Sequence, residues 1–181
     1  EGVIKDCPYC PEMVLILSGS FMMGSNESSD EQPTHQVTIK SFSLGKYEVT
    51  QKEWLSIMGS NPSRFKGETL PVEKVSWDEI QVFIKKLNTK TGQSYRLSTE
   101  AEWEYAARGG KEGDFFFEGT TKDYMKTGFL SSKRDTAIIN TYVVYSENSK
   151  SKTQEPSFVQ PNPFGLKNML GNVAEFCSDW Y

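Results

Sequence analysis

With 181 residues, 36% of them hydrophobic, the chain is long enough for one domain of ordinary size and supplies a core without obvious surplus. Twenty Lys and Arg against 24 Asp and Glu give a formal net charge of -4, and no basic tract is present to neutralise a phosphate backbone, which argues against a nucleic-acid partner. The longest apolar run, residues 13–17, falls far short of the roughly 20 residues that cross a bilayer, so no membrane-spanning segment is expected.

In chain order, residues 1–12 read as an N-terminal segment and residues 13–181 as the main domain. The segment carries Cys7 and Cys10 in Cys-Pro-Tyr-Cys. Such a pair suits half a zinc site, a redox pair or a disulfide; no second pair or nearby histidine completes a four-ligand zinc shell, and Cys177 is distant. A structural or disulfide role is the expectation, with the pairing of the three cysteines left open, and export to a periplasmic or extracellular compartment fits it. The chain opens on Glu1, without the charged and apolar regions of a signal peptide, which suits a processed end or a boundary.

Residues 13–17 and 20–24 are apolar runs that read as two short strands around the Ser18-Gly19 turn. Val37 and Ile39 alternate with Thr38 and Lys40, and Phe42, Leu44 and Tyr47 follow, so this stretch reads as strand with a break at Gly45. Three helices announce themselves by one device, a Thr or Ser followed three residues later by Glu: Thr50 with Glu53, Ser76 with Glu79, Thr99 with Glu102. Each pair can satisfy the other's exposed amide in a capping box. The second helix turns Ile80, Phe83, Ile84 and Leu87 to one face, the spacing of a core-facing helix. The first is expected to end near Gly59 and the third near Gly109 and Gly110. From residue 111 to 163 the periodicity fades, and long ordered loops, held by ions or tight packing, are expected there.

The stretch Tyr95-Arg-Leu-Ser-Thr-Glu-Ala-Glu-Trp-Glu-Tyr-Ala-Ala-Arg-Gly-Gly110 carries a specific resemblance, joined in order by blocks at residues 19–24, 47–54, 71–77 and 162–181. Together they resemble the formylglycine-generating enzyme, or sulfatase-modifying-factor, family over nearly the whole chain. The resemblance implies an α+β domain, C-type-lectin-related, with low regular secondary structure and long ordered loops that calcium pins. It implies one calcium site at the side chains of Asn168 and Glu175 and the carbonyls of Gly171 and Val173, oxygen donors of the kind hard cations take. Apart from the family, the same residues read as a polar turn. A second family site has no matching counterpart, its acidic partner near Asn140 falling on Glu147 or Asn148. Ala174 and Phe176 stand where the family usually has Trp, and Ser98 where it has Pro, which marks a divergent member.

In the family's enzymes two cysteines beyond the Asp-Trp-Tyr segment bind copper(I), and oxygen converts a sulfatase cysteine to formylglycine. Soft thiolates are what copper(I) takes. Neither Cys7, Cys10 nor Cys177 matches that pair, so no catalytic residue is assigned and copper enters only if a cysteine pair follows Tyr181. Three readings stand: a calcium-stabilised binding or assembly domain with a protein or peptide ligand, part of a copper-dependent oxidase, and a lectin-like display module for protein or glycan. The remaining chemistry is thin. His35 reads as the start of a strand, Glu100 and Glu102 as capping and dipole residues, Arg108 as a dipole residue, and Trp54, Trp77, Trp103 and Trp180 as core.

Overall fold

The computed structural model describes residues 2–26, 28–125 and 136–179. The strands are β1 (Val3–Ile4), β2 (Met13–Ile16), β3 (Gly19–Met23), β4 (His35–Ile39) and β5 (Phe42–Gly45). The helices are α1 (Gln51–Met58), α2 (Trp77–Thr91), α3 (Glu100–Arg108), α4 (Thr121–Met125) and α5 (Ala137–Tyr142).

All three capping boxes form. Thr50, Ser76 and Thr99 each accept from the amide three residues on, while Glu53, Glu79 and Glu102 reach back to the capping residue's own amide at 2.8, 2.7 and 2.9 Å. The helices they start close on Gly59, Gly92 and Gly109, each in the left-handed conformation.

The strands pair otherwise than their order suggests. β2 lies between β1 and β5, antiparallel to both, with Val14 opposite Val3 on one side and Leu44 on the other. β3 leaves to form a separate ribbon with β4, Phe21 opposite Val37. Ser18-Gly19 is therefore a crossing between sheets and not a hairpin turn. The physical reason is that its backbone is engaged elsewhere: Ser18 donates its amide to Ser41 Oγ at 2.9 Å, and the Tyr105 hydroxyl of α3 donates to Leu17 O at 3.3 Å.

Two apolar clusters result. In one, Val14 and Ile16 of β2 and Ile39 of β4 meet Tyr105, Ala106 and Ala107 of α3, with Leu166 and Met169 closing it from the late loop. In the other, Trp54 of α1 stacks on Phe83 of α2, ring centroids 4.9 Å apart, beside Leu87. Phe83 and Leu87 are buried while Ile80 and Ile84 pack around them, as the spacing predicts. The N-terminal segment joins this body: β1 extends the sheet, Cys7 and Cys10 form a disulfide, and Cys10 is fully buried against the second cluster. Tyr95 adds a hydroxyl bond to Asp6.

Of the long polar stretch, residues 126–135 lie outside the described residues, as does Trp180. Its described part is held by side-chain and backbone bonds. Gln160 donates to Thr141 O at 2.8 Å, Val144 bridges Gly171 in parallel, and Phe117 stacks on Tyr142 at 5.3 Å. These contacts set residues 140–160 against the late loop that carries the candidate site.

Candidate functional site

Residues 168–175 form a loop whose turns depend on backbone conformations few residues accept. Asn168 and Asn172 sit at φ 58° and 62°, the left-handed region in which asparagine is enriched. Gly171, at φ 90°, passes so close to the chain that a Cβ there would run into the Val144 carbonyl oxygen. Leu170 and Asn172 in turn exchange backbone bonds with Val144, at 3.4 and 3.0 Å. The loop is thus sewn to residue 144.

Asn168 is buried, only 2% exposed. Its Nδ2 donates to Glu48 Oε2 at 2.9 Å, and its Oδ1 is buried with no hydrogen-bond partner. Asn172 Nδ2 donates to the other Glu48 oxygen at 2.9 Å and to Gln154 O at 3.1 Å, while its Oδ1 accepts from the Gln154 amide at 2.8 Å. Glu48, in the chain just after β5, therefore receives two amides from a loop some 120 positions away in sequence. Burial pushes its carboxyl above the ordinary value against the pull of both asparagine bonds.

Glu175 accepts from Trp103 Nε1 of α3 at 2.7 Å. The residue keeps an exposed flank, yet its carboxyl is packed among protein atoms, and that desolvation, with the nearby Glu48 charge, pushes its pKa up to about 7 against the indole bond that lowers it. Val173 is half-buried, and both it and Gly171 have backbone carbonyls that accept no hydrogen bond among the described residues. The four residues singled out by resemblance thus lie on one loop. Glu48 falls inside the block at residues 47–54 but has no role legible in the sequence, because no local spacing links it to the loop.

The set consists of an amide oxygen, carboxylates and carbonyls. Among the described residues no cluster of three or more His, Cys, Asp or Glu side chains is placed to hold a metal. Oxygens of this mixed kind are the donors that hard cations take. Near Asn140 the polar atoms are already committed: Asn140 Oδ1 accepts from the Tyr145 hydroxyl and Asn148 Nδ2, and Asn148 Oδ1 accepts from the Tyr145 amide.

Glu48, Val173 and Glu175 also line a cavity of about 480 Å³ whose walls are largely apolar, among them Trp54, Phe83 and Met169. Cys177 lies just beyond. Burial pushes its thiol up, and the carboxylates of Asp179, Glu100 and Glu175 push it further against a bond to Ser98. A larger cavity, about 920 Å³, lies along α3 and is lined by Met22, His35, Trp103, Glu104 and Arg108. Its charged groups are tied into the fold. Arg108 pairs with Glu104 at 2.6 Å and donates to the carbonyls of Gly24 and Gly113, so it anchors β3 and a loop beyond any interaction with the helix dipole. His35 is exposed and bonds only the Pro33 carbonyl at 3.0 Å among the described residues.

Among the described residues, five short strands, three capped helices and a polar loop bonded to the third of them define a mixed α+β domain of the formylglycine-generating-enzyme type. The chain belongs to the sulfatase-modifying factor enzyme 1-like domain family, whose model matches residues 2–181. It is similar to chaperone protein LppX of Paenibacillus barcinonensis, 31% identical over 205 residues that cover 94% of this chain and 72% of that protein. It is also similar to the formylglycine-generating enzyme of Streptomyces coelicolor, 32% identical over 136 residues, 71% of this chain and 40% of the enzyme. Among solved structures, PvdO from Pseudomonas aeruginosa superposes with a TM-score of 0.81 at 31% identity, covering 99% of this chain and 75% of that one. The chain thus spans about seven tenths of LppX and well under half of the enzyme.

Proposed function

We propose that residues 1–181 act as a calcium-stabilised binding or assembly domain and do not themselves carry out the oxidase chemistry of the family's enzymes. The observation that carries this reading is the state of the cysteines. Cys7 and Cys10 are tied to each other, and Cys177 is a single thiol kept protonated by burial and neighbouring carboxylates. Copper(I) takes thiolates, and a two-coordinate thiolate site needs a second one. A family relative named as a chaperone supports a binding or assembly role, with a protein or peptide as ligand.

Calcium is supported by the fit of the donors. Asn168 Oδ1 is a buried polar atom without a partner, which is costly unless something pairs with it. Glu175 is a carboxylate whose surroundings penalise its charge, and a bound cation relieves that penalty. The ion would be held by Asn168 Oδ1, the Glu175 carboxylate and the carbonyls of Gly171 and Val173, and would supply structural charge compensation beside Trp103 of α3. The Cys7–Cys10 disulfide supports an exported, periplasmic or extracellular location.

Similarity to a formylglycine-generating enzyme favours a second reading, in which a polypeptide continuing past Tyr181 contributes a cysteine pair to a copper-dependent oxidase. The deciding experiment incubates the 181-residue protein with copper(I), oxygen and a sulfatase-derived cysteine peptide, and reads the peptide by mass spectrometry. Unchanged peptide is expected; an aldehyde product overturns the non-catalytic reading. Calorimetric titration with calcium tests the other half, and a protein that takes up no calcium refutes it.

A further inference from the structure

We propose that Glu48 is the positioning residue of the calcium site, the group that decides whether Asn168 has an oxygen to offer. The inference rests on the calcium reading above and deepens it. A carboxamide has one accepting end and one donating end, and which end faces a ligand depends on what holds the other. Here Glu48 Oε2, which can only accept when ionised, receives Asn168 Nδ2 at 2.9 Å. That commits the amide nitrogen and leaves Oδ1 as the end without a partner, buried inside the loop. Outer partners of this kind fix the orientation of metal ligands in general.

The second asparagine removes the ambiguity. Asn172 cannot turn its amide over without loss, because its Oδ1 accepts from the Gln154 amide and its Nδ2 donates to the Gln154 carbonyl, at 2.8 and 3.1 Å. Its remaining donation therefore always falls on position 48, at 2.9 Å. A residue at 48 must accept there, and only a carboxylate has a second accepting oxygen for Asn168. In Glu48→Gln the amide oxygen is claimed by Asn172, so the new NH2 faces Asn168. Asn168 must then turn over and present its oxygen to that NH2, which points its own NH2 at the ion's position and withdraws the side-chain oxygen it would supply beside Glu175 and the two carbonyls. The substitution is nearly isosteric and acts on the site through Asn168.

Position 48 also lines the apolar cavity together with Glu175 and Val173, so it stands next to the remaining donors while belonging to a different part of the chain. The link makes calcium a fastener between the start of α1 and the late loop. It adds to a bond pattern already present without the ion.

The test is calorimetric calcium titration of folded protein, with melting curves in calcium and in chelator. E48Q is expected to weaken calcium binding at least about tenfold, the loss typical when an outer partner of a metal ligand is removed. The double variant E48Q/N168D reverses the polarity of the pair. The amide introduced at position 48 then accepts from Asn172 and donates to one oxygen of the carboxylate introduced at position 168. The other carboxylate oxygen stays free, so affinity returns to within a few-fold of wild type, about the scatter expected of an outer-shell repair. A residue that merely supports the fold predicts no such rescue. Wild-type binding with E48Q unaltered overturns this inference and leaves the calcium reading intact; a wild-type protein that binds no calcium overturns both. If E48Q does not fold, the double variant alone decides: folded and calcium-binding sustains the inference, folded and calcium-free refutes it.

Discussion

Asn162 closes the end of helix α3 from 56 residues away: its Nδ2 donates to the Ala106 carbonyl at 2.7 Å while its Oδ1 accepts from the amides of Phe164 and Leu166 at 3.0 and 3.1 Å. The last carbonyls of a helix lack their usual partners within it; here the Ala106 carbonyl takes the Gly109 amide at 3.2 Å and the buried Asn162 amide as a second donor. The same side chain shapes the turn that delivers Leu166 and Met169 to the core. Asn162→Ala strips three bonds at once and leaves the buried Leu166 amide without its acceptor, while the Ala106 carbonyl keeps only the Gly109 amide; an unsatisfied buried group costs about 1–3 kcal/mol. Urea unfolding of the variant is expected to show a loss of at least that size, and a loss below about 1 kcal/mol contradicts the buried-clasp account.

The indole of Trp103 is the hinge between α3 and the candidate site, since its Nε1 donates to Glu175 Oε2 at 2.7 Å. Trp103→Phe keeps an aromatic ring and removes the donor. The carboxylate then loses a bond to its charged form, a type worth about 1.5–3 kcal/mol. In chelator the variant should be less stable by roughly that amount. Saturating calcium is expected to shrink the deficit, because the ion gives the Glu175 charge the partner that the missing indole withholds and so stabilises the variant more than the wild type. Equal deficits in calcium and in chelator, read from paired melting curves, count against Glu175 as a ligand.

Acid stability should depend on Glu102. The Arg96 guanidinium grips it through two bonds of 2.7 Å, and with the Thr99 amide holds the carboxyl below its ordinary value of 4.5. The folded state therefore keeps this group ionised at a pH where the unfolded chain has begun to take up its proton. The stabilisation is complete above the ordinary value and is lost as pH falls through the lower folded one. Glu102→Gln is expected to be less stable than wild type at about pH 7 and to lose less stability on going to about pH 3. Unfolding curves that fall in parallel for the two proteins rule out this carboxylate as the acid-sensitive group.

Local signals carried much of this fold because they act over a few residues. The capping boxes at Thr50, Ser76 and Thr99 were legible because cap and partner lie three apart, and the buried face of α2 because Phe83 and Leu87 repeat at helical spacing. The pairing of β2 with β5 was not, since it depends on Tyr105 and Ser41 engaging the chain at residues 17 and 18. The candidate site divides in the same way. Its loop residues are close together in sequence and are singled out by the family resemblance, since by themselves they read as a polar turn, whereas Glu48 meets them only through the folded topology. Arg108 offers a smaller case: helix position alone accounts for a cation there, and its bonds to Gly24 and Gly113 come from tertiary placement.

The disulfide should matter more for where it puts Cys10 than for the loop it closes. Cys7 and Cys10 are three apart, and closing so short a ring removes little freedom from the unfolded chain, about 2 kcal/mol on the chain-entropy scale. Cys10 is fully buried beside Trp54, Phe83 and Leu87, whereas Cys7 is half-buried at the edge of the same cluster. Reduction opens the ring and leaves both sulfurs in place, so a loss near about 2 kcal/mol is expected, with helical content retained. Cys7→Ser should match it. Cys10→Ser opens the same ring and also forces a hydroxyl into an apolar site, which adds about 1–3 kcal/mol. Urea unfolding of the two variants, with and without reductant, measures the difference directly. If Cys7→Ser and Cys10→Ser are equally destabilised, the segment before β2 is held by ring closure alone, and its anchoring in the Trp54–Phe83 cluster has no energetic weight.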